Sequence, residues 1–250
     1  MRSILSSSLR RGRNAALAVM AMAATALSAH ATPITVINGN FSATTNGYGQ
    51  LGYNTNVTGW SGAGYNFVFN GAAGAASGAP GSYGNLQLWA PGNGTPNGFI
   101  NSPDGGNFIG MDGAFQQVAL TQTISGLTKG ASVTVSFYFA GAQQKGFDGP
   151  TTEQFMVSLG NQNIYTEALS DPNHGFTGWK SESLTFTAAG PSEVLSFFAI
   201  GTPSGEPPFS LLDGVTVDQT VAPVPEPGSL ALLGTELADL SNFIRSRFSK

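Results

Sequence analysis

The segment Ser132–Phe139, SVTVSFYF, decides the fold of this 250-residue chain. Its apolar residues alternate with hydroxyl-bearing ones, so an extended backbone places all the aliphatic and phenylalanine side chains on one face. An α-helix would instead need apolar residues three and four positions apart. The segment therefore predicts a β-strand with one face in a core.

Other segments of the body, residues 32–221, carry the same pattern between runs of Gly, Asn and Pro. They are 118–124 with Val118, Leu120 and Ile124, 153–159 with Phe155, Val157 and Leu159, 181–187 with Leu184 and Phe186, and a last strand with Val215 and Val217 that ends near Gln219. The run Val194–Ile200 is almost continuously apolar and predicts a strand buried on both faces. With no amphipathic helix of ten residues in the body, the prediction is an all-β, antiparallel β-sandwich.

The region Asn70–Asn107 breaks the strand pattern, because Gly, Ala, Pro and Asn dominate it. We interpret it as long loops with one short strand at Leu86–Trp89. Long loops on a rigid sandwich are either a binding surface or solvated filler, and the sequence leaves both open.

The composition excludes several classes of protein. The chain has no Cys, so it is neither a disulfide scaffold nor a thiolate metal protein. Its 10 Lys and Arg against 14 Asp and Glu exclude a nucleic-acid-binding protein of the basic-patch type. Low charge together with 34 Gly favours an exported all-β protein.

The first 31 residues are typical of a secretory signal peptide, which would form a short helix. Four Arg precede the apolar segment Ala15–Leu27, and Ala29-His30-Ala31 is an A-x-A cleavage site. Thirteen apolar residues are too few to span a bilayer comfortably. The mature chain is therefore expected to begin at Thr32, with six basic and 14 acidic residues and a net charge of −8.

The last segment, residues 222–250, carries Pro225-Glu226-Pro227 followed by a Leu-rich stretch and a basic end. This resembles the PEP-CTERM sorting signal, and the resemblance implies processing by an exosortase in a Gram-negative bacterium. The tail departs from that family because Glu236 and Asp239 interrupt the apolar span. Each ionised carboxylate costs roughly 2.5–3.5 kcal/mol at the centre of a membrane helix. Leucines at helical spacing predict a short amphipathic C-terminal helix instead, which leaves membrane contact through the tail open.

Several body segments, in the right order, resemble the galactose-binding-like jelly rolls of secreted PEP-CTERM proteins and of carbohydrate-binding modules. Asn38–Phe41 is similar to their first strand, and Thr58-Gly59-Trp60 to their early Gly-Trp. Gln122–Gly130 is similar to the turn before the long core strand, and Leu211–Val215 to the closing strand. The resemblance implies a jelly-roll sandwich over roughly residues 34–219.

The same resemblance implies a structural calcium between the first and closing strands. Asp213 and oxygens near Asn40 are the ligands that the match transfers, with Asp104 or Asp112 as a further acid. Ser42 stands where the family has an acid, so the expected site is weak, because calcium affinity grows with the number of carboxylates. The alternative to calcium binding is that Asp213 only caps a turn. No other cofactor is expected.

Catalytic residues are not expected in this chain. His174 is the only histidine of the mature chain and lies in a turn-rich segment, which favours a surface-loop histidine over a Ser-His-Asp triad. Carboxylates such as Asp112, Asp148, Glu153 and Glu182 do not form a pair by sequence alone. The sequence therefore predicts a protein that is not an enzyme.

Aromatic residues in loop-rich sequence favour sugar binding, because pyranose rings stack on flat aromatic side chains. Trp89, beside Ala90-Pro91-Gly92, is the best exposed candidate, with Tyr83 and Tyr65 as further candidates. Trp60 and Trp179 are expected in the core or at a sheet edge.

The sequence supports two main hypotheses about function and a third, weaker one. The first is a non-catalytic surface or matrix protein, exported across the inner membrane and associated with exopolysaccharide. The second is a carbohydrate-binding module with an aromatic stacking site. A secreted polysaccharide hydrolase is the third.

Overall fold

A computed structural model of the chain describes residues 30–222, 234–238, 240–241 and 243–245. The predicted signal segment up to residue 29 and the motif Pro225-Glu226-Pro227 lie outside these residues. The β domain and the helical residues of the tail are described separately below.

The described part of the β domain contains fourteen strands and one short helix, which confirms the all-β prediction. In chain order they are β1 (Ala31–Ile34), β2 (Gly49–Gln50), β3 (Asn66–Asn70), α1 (Gly71–Ser77), β4 (Ala79–Gly81), β5 (Gly84–Leu86), β6 (Asn107–Asp112), β7 (Leu120–Ser125), β8 (Ser132–Gln143), β9 (Thr151–Leu159), β10 (Gln162–Tyr165), β11 (Leu169–Asp171), β12 (Lys180–Thr187), β13 (Ser192–Thr202) and β14 (Pro208–Thr220).

Two antiparallel sheets form the sandwich. The larger has the order β12-β8-β14-β6-β3-β2, with β1 also paired to β14. The smaller has the order β10-β9-β13-β7, with β11 also paired to β9, and a two-stranded hairpin joins β4 to β5. The sequence-adjacent strands β13 and β14 lie in different sheets, so the chain crosses between the layers at residues 203–207.

The central strand β14 has an irregularity that shapes one side of the domain. Along one edge it pairs with β8, and the register shifts between Asp213 and Thr216. Along its other edge, β6 covers the first half and β1 the second half, which leaves a gap beside the bulge. A turn around Gly39 fills the gap, because the Val215 N–H donates to the Gly39 carbonyl at 2.9 Å. A Cβ at Gly39 would lie 2.1 Å from the Val215 carbonyl oxygen, so no larger residue fits there.

This turn corrects the expectation of a first strand at Asn38–Phe41. Asn38 and Phe41 have positive φ values of 55° and 52°, which an extended strand does not allow. The first strand of the described domain is β1, and the Phe41 side chain is buried in the core beyond the turn.

The core between the sheets confirms the alternation that the sequence predicts. Val133, Val135, Phe137 and Phe139 of β8 all point into it, as do the apolar residues predicted for β9 and β12. Trp60 packs in the same core, with its ring centroid 5.4 Å from that of Phe41. In β7, Leu120 and Ile124 are buried, but Val118 precedes the strand and is exposed.

The prediction that Val194–Ile200 is buried on both faces is wrong. In β13, Leu195, Phe197 and Ala199 face the core, whereas Val194 is 47% exposed and Phe198 is half-buried on the outer face. On the outer side of the smaller sheet these apolar side chains keep part of their surface accessible within the described domain.

In contrast, the part of the larger sheet formed by β3, β6, the first half of β14 and the end of β8 is covered on both faces. Phe67, Phe69, Phe108 and Phe209 point away from the sandwich core into a second apolar cluster. Segment 71–107, which contains α1 and the β4–β5 hairpin, supplies the other side of that cluster with residues such as Leu88 and Phe99. The region interpreted as loops is therefore a packed layer, and its predicted strand is shorter and earlier than Leu86–Trp89.

The described residues of the tail, 234–238, 240–241 and 243–245, are helical, as predicted. Leu237, Leu240 and Ile244 are exposed at helical spacing. Among the residues that the model describes, none belongs to a helix long and apolar enough to cross a membrane.

Two adjacent phenylalanines on β13 test the orientation of this strand. Phe197 is fully buried against Trp60, Phe137 and Phe155, so Phe197→Ala should reduce the free energy of unfolding by about 3–5 kcal/mol. Phe198→Ala, on the outer face, should cost about 1 kcal/mol or less. Urea denaturation of both variants measures the difference, and equal losses would contradict the assigned orientation.

Two buried carboxyl groups face each other across β9 and β11. Glu153 accepts a hydrogen bond from the Thr151 hydroxyl, but its Oε2 atom and both Asp171 oxygens have no hydrogen-bond partner within the described domain. Burial raises the pKa of Glu153 to about 9, with the nearby Asp171 charge adding to it, and burial raises that of Asp171 to about 7. Gly141 leaves room for Glu153, since a Cβ there would lie 2.4 Å from its Oε2 atom.

These carboxyl groups predict a domain that loses stability as pH rises. A carboxyl group whose pKa is higher in the folded state binds its proton more tightly there, so stability declines between the ordinary pKa near 4 and the raised value. The melting temperature should therefore fall from pH 5 towards about pH 9, and Glu153→Gln should flatten the decline above about pH 7. Glu167→Gln, at an exposed glutamate, is the control. An unchanged profile in Glu153→Gln would rule out the buried carboxyl as the cause.

Candidate functional site

Four loops meet at one end of the sandwich and enclose a pocket of about 420 Å³. They are the turn of the β4–β5 hairpin and the segments that follow β6, β8 and β13. Hydrogen bonds tie these loops together: the Gly113 N–H donates to the Pro208 carbonyl at 2.8 Å, and the Gly201 N–H donates to the Gly113 carbonyl at 2.8 Å. The walls of the pocket are therefore anchored to strands of both sheets.

Aromatic rings form one wall of the pocket. Tyr65, just before β3, is 7% exposed, whereas Tyr83 at the hairpin turn is 67% exposed and Phe115 is also exposed. The centroid of the Tyr65 ring lies 5.2 Å from that of Phe115 and 5.9 Å from that of Tyr83, in edge-to-face contacts. Gln116 Nε2 donates to the Tyr83 hydroxyl at 3.1 Å and holds that ring towards the loop after β6. Phe147 contributes a further ring to the lining.

Two lining residues, Asp112 and Gln144, carry buried hydrogen-bond acceptors without partners in the described domain. Asp112, the last residue of β6, is 1% exposed, and its Oδ1 atom accepts from the Ala114 and Phe115 N–H groups at 2.8 and 3.0 Å. Its Oδ2 atom and the Oε1 atom of Gln144 are buried and have no partner in the described domain. Burial raises the pKa of Asp112 to about 6, against the lowering effect of the two N–H donors.

Tyr65 links the aromatic wall to these acceptors. Burial raises the pKa of its hydroxyl, and the charge of Asp112 raises it further, so the phenol stays protonated. Gln144 lines the same pocket as Tyr65. The pocket therefore combines flat aromatic surfaces with two residues whose acceptor atoms, Asp112 Oδ2 and Gln144 Oε1, have no hydrogen-bond donor in the described domain.

Two of the three aromatic residues predicted for sugar binding, Tyr65 and Tyr83, come together in this pocket. The third, Trp89, is not the freely exposed platform that its loop context predicted. It is half-buried, its Nε1–H donates to the Phe147 carbonyl at 3.1 Å, and the His174 ring covers it at a centroid distance of 4.0 Å. Pro91 and Gly92 next to Trp89 indicated a loop, but they gave no sign that the His174 ring packs on the Trp89 side chain.

His174 lies in a turn, as predicted, with a positive φ of 57°. Its Nε2 atom is 2.6 Å from Asp148 Oδ1, its ring packs on Trp89, and its backbone N–H donates to Gln143 Oε1 at 2.9 Å. Of the carboxylates considered for hydrolysis, Asp112 lines the pocket, Asp148 pairs with His174, and Glu153 faces Asp171. In the described domain these acids are thus distributed over separate places, and Asp112 is the acid among the pocket's lining residues.

The residues predicted for calcium meet at the bulge of β14. Asn40 and Asp104 line a shallow depression of about 340 Å³ beside Gly214. Asp213 is fully buried next to it: its Oδ1 atom accepts from the Gly214 N–H, and its Oδ2 atom has no partner in the described domain. Burial raises the pKa of Asp213 to about 7 against the lowering effect of the Ser102 hydroxyl and the Gly214 N–H, and the charge of Asp104 adds to the rise.

The donor set at this depression is partial. The Asn40 Oδ1 atom already accepts from the Ser42 hydroxyl at 2.9 Å. Asp104, rather than Asp112, is the second acid near Asp213, because Asp112 lies at the aromatic pocket. No cluster of three or more metal-ligating His, Cys, Asp or Glu side chains occurs among the residues that the model covers.

Sequence reasoning missed Phe115 and Gln144. Phe115 follows β6 and Gln144 follows β8, and these two strands flank β14 in the same sheet, so only the pairing order brings their ends together. The run Phe115-Gln116-Gln117 after the buried β6 is a signal of an exposed aromatic in a loop, but its partner Tyr83 lies 32 residues earlier in the chain.

Fold and site together define a two-sheet β-sandwich with an aromatic pocket at one end. No protein-family model matches the chain, and comparison with curated proteins gives no match. Among solved structures, the chain is similar to a family 4 carbohydrate-binding module, at 18% identity and a TM-score of 0.33 over 74% of this chain and 99% of that one.

Two further similar structures are carbohydrate-binding modules. One is a family 61 module in complex with β-1,4-galactotriose, at 13% identity and a TM-score of 0.36, covering 74% of this chain and 98% of that one. The other is the xylan-binding family 22 domain of Xyn10C from Paenibacillus barcinonensis, at 13% identity and a TM-score of 0.37, covering 74% and 94%. The function proposed below rests on the pocket and not on these similarities.

Proposed function

We propose that this protein binds carbohydrate, without catalysis, in the pocket lined by Tyr65, Tyr83, Phe115, Asp112 and Gln144. The observation that carries the proposal is the pairing of aromatic rings with buried acceptors that have no partner in the described domain. Sugars have apolar ring faces and donate hydrogen bonds from their hydroxyl groups, so a saccharide satisfies both features of this lining.

The depth and shape of the pocket favour a short saccharide segment. A volume of about 420 Å³ lies at the lower end of the usual range for small-ligand sites. Tyr83 and Phe115 stand at the exposed rim and Tyr65 at the base, so that one sugar ring enters and its neighbours extend into solvent. The pocket holds one carboxylate rather than the two that glycoside hydrolysis requires, which supports binding over turnover.

Export and sorting remain predictions from the sequence. The signal-like segment before Thr32 and Pro225-Glu226-Pro227 support a protein that leaves the cytoplasm of a Gram-negative bacterium and acts at its surface or in its matrix. An exosortase would be its processing partner and an exopolysaccharide its ligand. A sugar pocket suits that setting, since a matrix-associated protein meets polysaccharide directly.

Tyr83→Ala tests the pocket, because a residue that is two-thirds exposed can be truncated without emptying the core. Loss of its ring should weaken binding of the best saccharide on a glycan array by about tenfold, equivalent to ~1.4 kcal/mol. Isothermal titration calorimetry measures the change. Tyr165→Ala, at an exposed tyrosine on the smaller sheet, should bind as the unchanged protein does. Equal affinities of all three proteins would exclude the pocket as the sugar site.

We also propose that the depression at the β14 bulge binds Ca²⁺ through Asp213 and Asp104. The supporting observation is the fully buried Asp213 carboxylate, whose Oδ2 atom has no partner in the described domain. Calcium would supply a positive charge to an oxygen that burial otherwise destabilises. Carbonyl oxygens around Gly39 and water would have to complete its shell of six to eight oxygens.

Calcium addition to metal-free protein should therefore raise the melting temperature by several degrees, because a ligand that binds only the folded state stabilises it. Asp213→Asn should abolish the calcium-dependent shift whatever its own melting temperature. Asp171→Asn, at a buried acid elsewhere, should keep the shift. A shift of the same size in Asp213→Asn would place the calcium elsewhere, and the absence of a shift in the unchanged protein would end the proposal.

A further inference from the structure

We propose that the pocket is selective for saccharides that carry a free, protonated amine, such as a glucosamine unit, over their neutral counterparts. This inference rests on the proposed carbohydrate-binding function and names the class of sugar. It follows from the charge and the hydrogen-bonding capacity of the lining, which contains a buried carboxylate and, among the lining residues, no Lys or Arg.

Asp112 is the first reason. Two backbone N–H groups occupy its Oδ1 atom, and this fixes the orientation of the carboxylate so that Oδ2 is left without a partner. An ionised oxygen buried without a donor is strongly destabilised, and a hydroxyl donor relieves only part of that penalty. An ammonium group supplies a donor and neutralises the charge at once.

Gln144 is the second reason. Its Oε1 atom is buried and without a partner in the described domain. An ammonium carries three N–H donors, which is enough for the free acceptors of both Asp112 and Gln144. A single sugar hydroxyl has one proton to donate and satisfies only one of the two acceptors.

The aromatic wall is the third reason. The faces of aromatic rings attract cations within about 6 Å of the ring centroid, by roughly 0.5–2 kcal/mol. Tyr65, Tyr83 and Phe115 form one continuous cluster at this pocket, with ring centroids 5.2–5.9 Å apart. The same rings offer stacking surface to any sugar, but they favour a charged amine over a hydroxyl.

Acidic sugars fit this lining poorly. Their carboxylates would face the like charge of Asp112 across the pocket, which is a repulsive arrangement. Lys145, which follows the lining residue Gln144, directs its ammonium to the Trp89 ring at 5.8 Å from the centroid and is not part of the lining. The local charge therefore disfavours anionic ligands and favours cationic ones.

The attraction needs an ionised carboxylate and a protonated amine together. Burial holds the pKa of Asp112 at about 6, so affinity for the amine should decline as pH falls through that value. At high pH the amine loses its proton and the attraction declines again. A bell-shaped dependence on pH is thus expected for the amino sugar and not for a neutral one.

The experiment compares three ligands with the same β-1,4-linked backbone: the tetramers of glucosamine, of N-acetylglucosamine and of glucose. They differ only in bearing an amine, an acetamide or a hydroxyl at C2. Calorimetric titrations just above the pKa of Asp112 should show the glucosamine tetramer binding at least tenfold more tightly than the other two. Asp112→Asn keeps the oxygen that accepts from Ala114 and Phe115 and should remove that preference.

Two controls separate the pocket from general attraction to an acidic protein. Glu167→Gln removes an exposed acid away from the pocket and should retain the preference. Gln144→Leu removes the second acceptor and should reduce the preference while Asp112 is intact, which covers the case of an unfolded Asp112→Asn protein. Far-ultraviolet circular dichroism shows whether each of the three variants folds as the unchanged protein does.

The outcomes distinguish the inference from the function on which it rests. Equal binding of all three tetramers, reduced in Tyr83→Ala, would overturn amine selectivity and leave a neutral sugar pocket. A preference that persists in both Asp112→Asn and Gln144→Leu would assign it to the acidic surface and also overturn the inference. No binding of the glucosamine tetramer would overturn it as well, and the glycan array then decides whether any sugar binds.

Discussion

The need to bury both faces of the larger sheet is the constraint on which the rest of this structure depends. Along β3, β6 and the first half of β14, aromatic and aliphatic side chains alternate between two apolar clusters. Val68, Ile109 and Leu212 face the sandwich core, whereas Phe67, Phe108 and Leu211 face the opposite way. A sheet with water on that second face would expose several phenylalanines. Segment 71–107 must therefore fold over that face, although few of its residues belong to helices or strands.

That covering layer also builds the candidate site. The hairpin of β4 and β5 belongs to the layer, and its turn places Tyr83 beside Tyr65 and Phe115. The other walls come from loops that leave β6, β8 and β13, which hydrogen bonds fasten to one another at the end of the sandwich. Binding side chains are thus held by rigid strands, and this preorganisation lets acceptors such as Asp112 Oδ2 stay buried without a partner of their own. The destabilisation of that oxygen in the free protein is a source of affinity for a ligand that donates to it.

Buried carboxyl groups recur in three places, and their surroundings separate them. Asp112 opens onto an aromatic pocket, Asp213 adjoins a depression at a strand bulge, and Glu153 with Asp171 is enclosed beside Gly141. All have pKa values raised by burial, so the shift alone does not identify a site. What each carboxyl group can bind depends on the cavity beside it, on the side chains around it and on whether its oxygen atoms already have hydrogen-bond partners.

The sequence by itself determined the class of fold and the strands with one buried face. The period-two alternation in Ser132–Phe139 is a local property of the chain and has one compatible geometry. It could not determine which faces are covered, because coverage depends on segments far apart in sequence: Val194–Ile200 was expected to be buried on both sides and is not, while Asn70–Asn107 was expected to be loops and forms a layer. Tyr65 and Tyr83 were identifiable as loop-associated aromatics, but their meeting with Phe115, Asp112 and Gln144 was decided only by the tertiary structure. The order of the strands and the crossing of the chain between the two sheets bring the loops with these residues together. No local sequence pattern determines either of them.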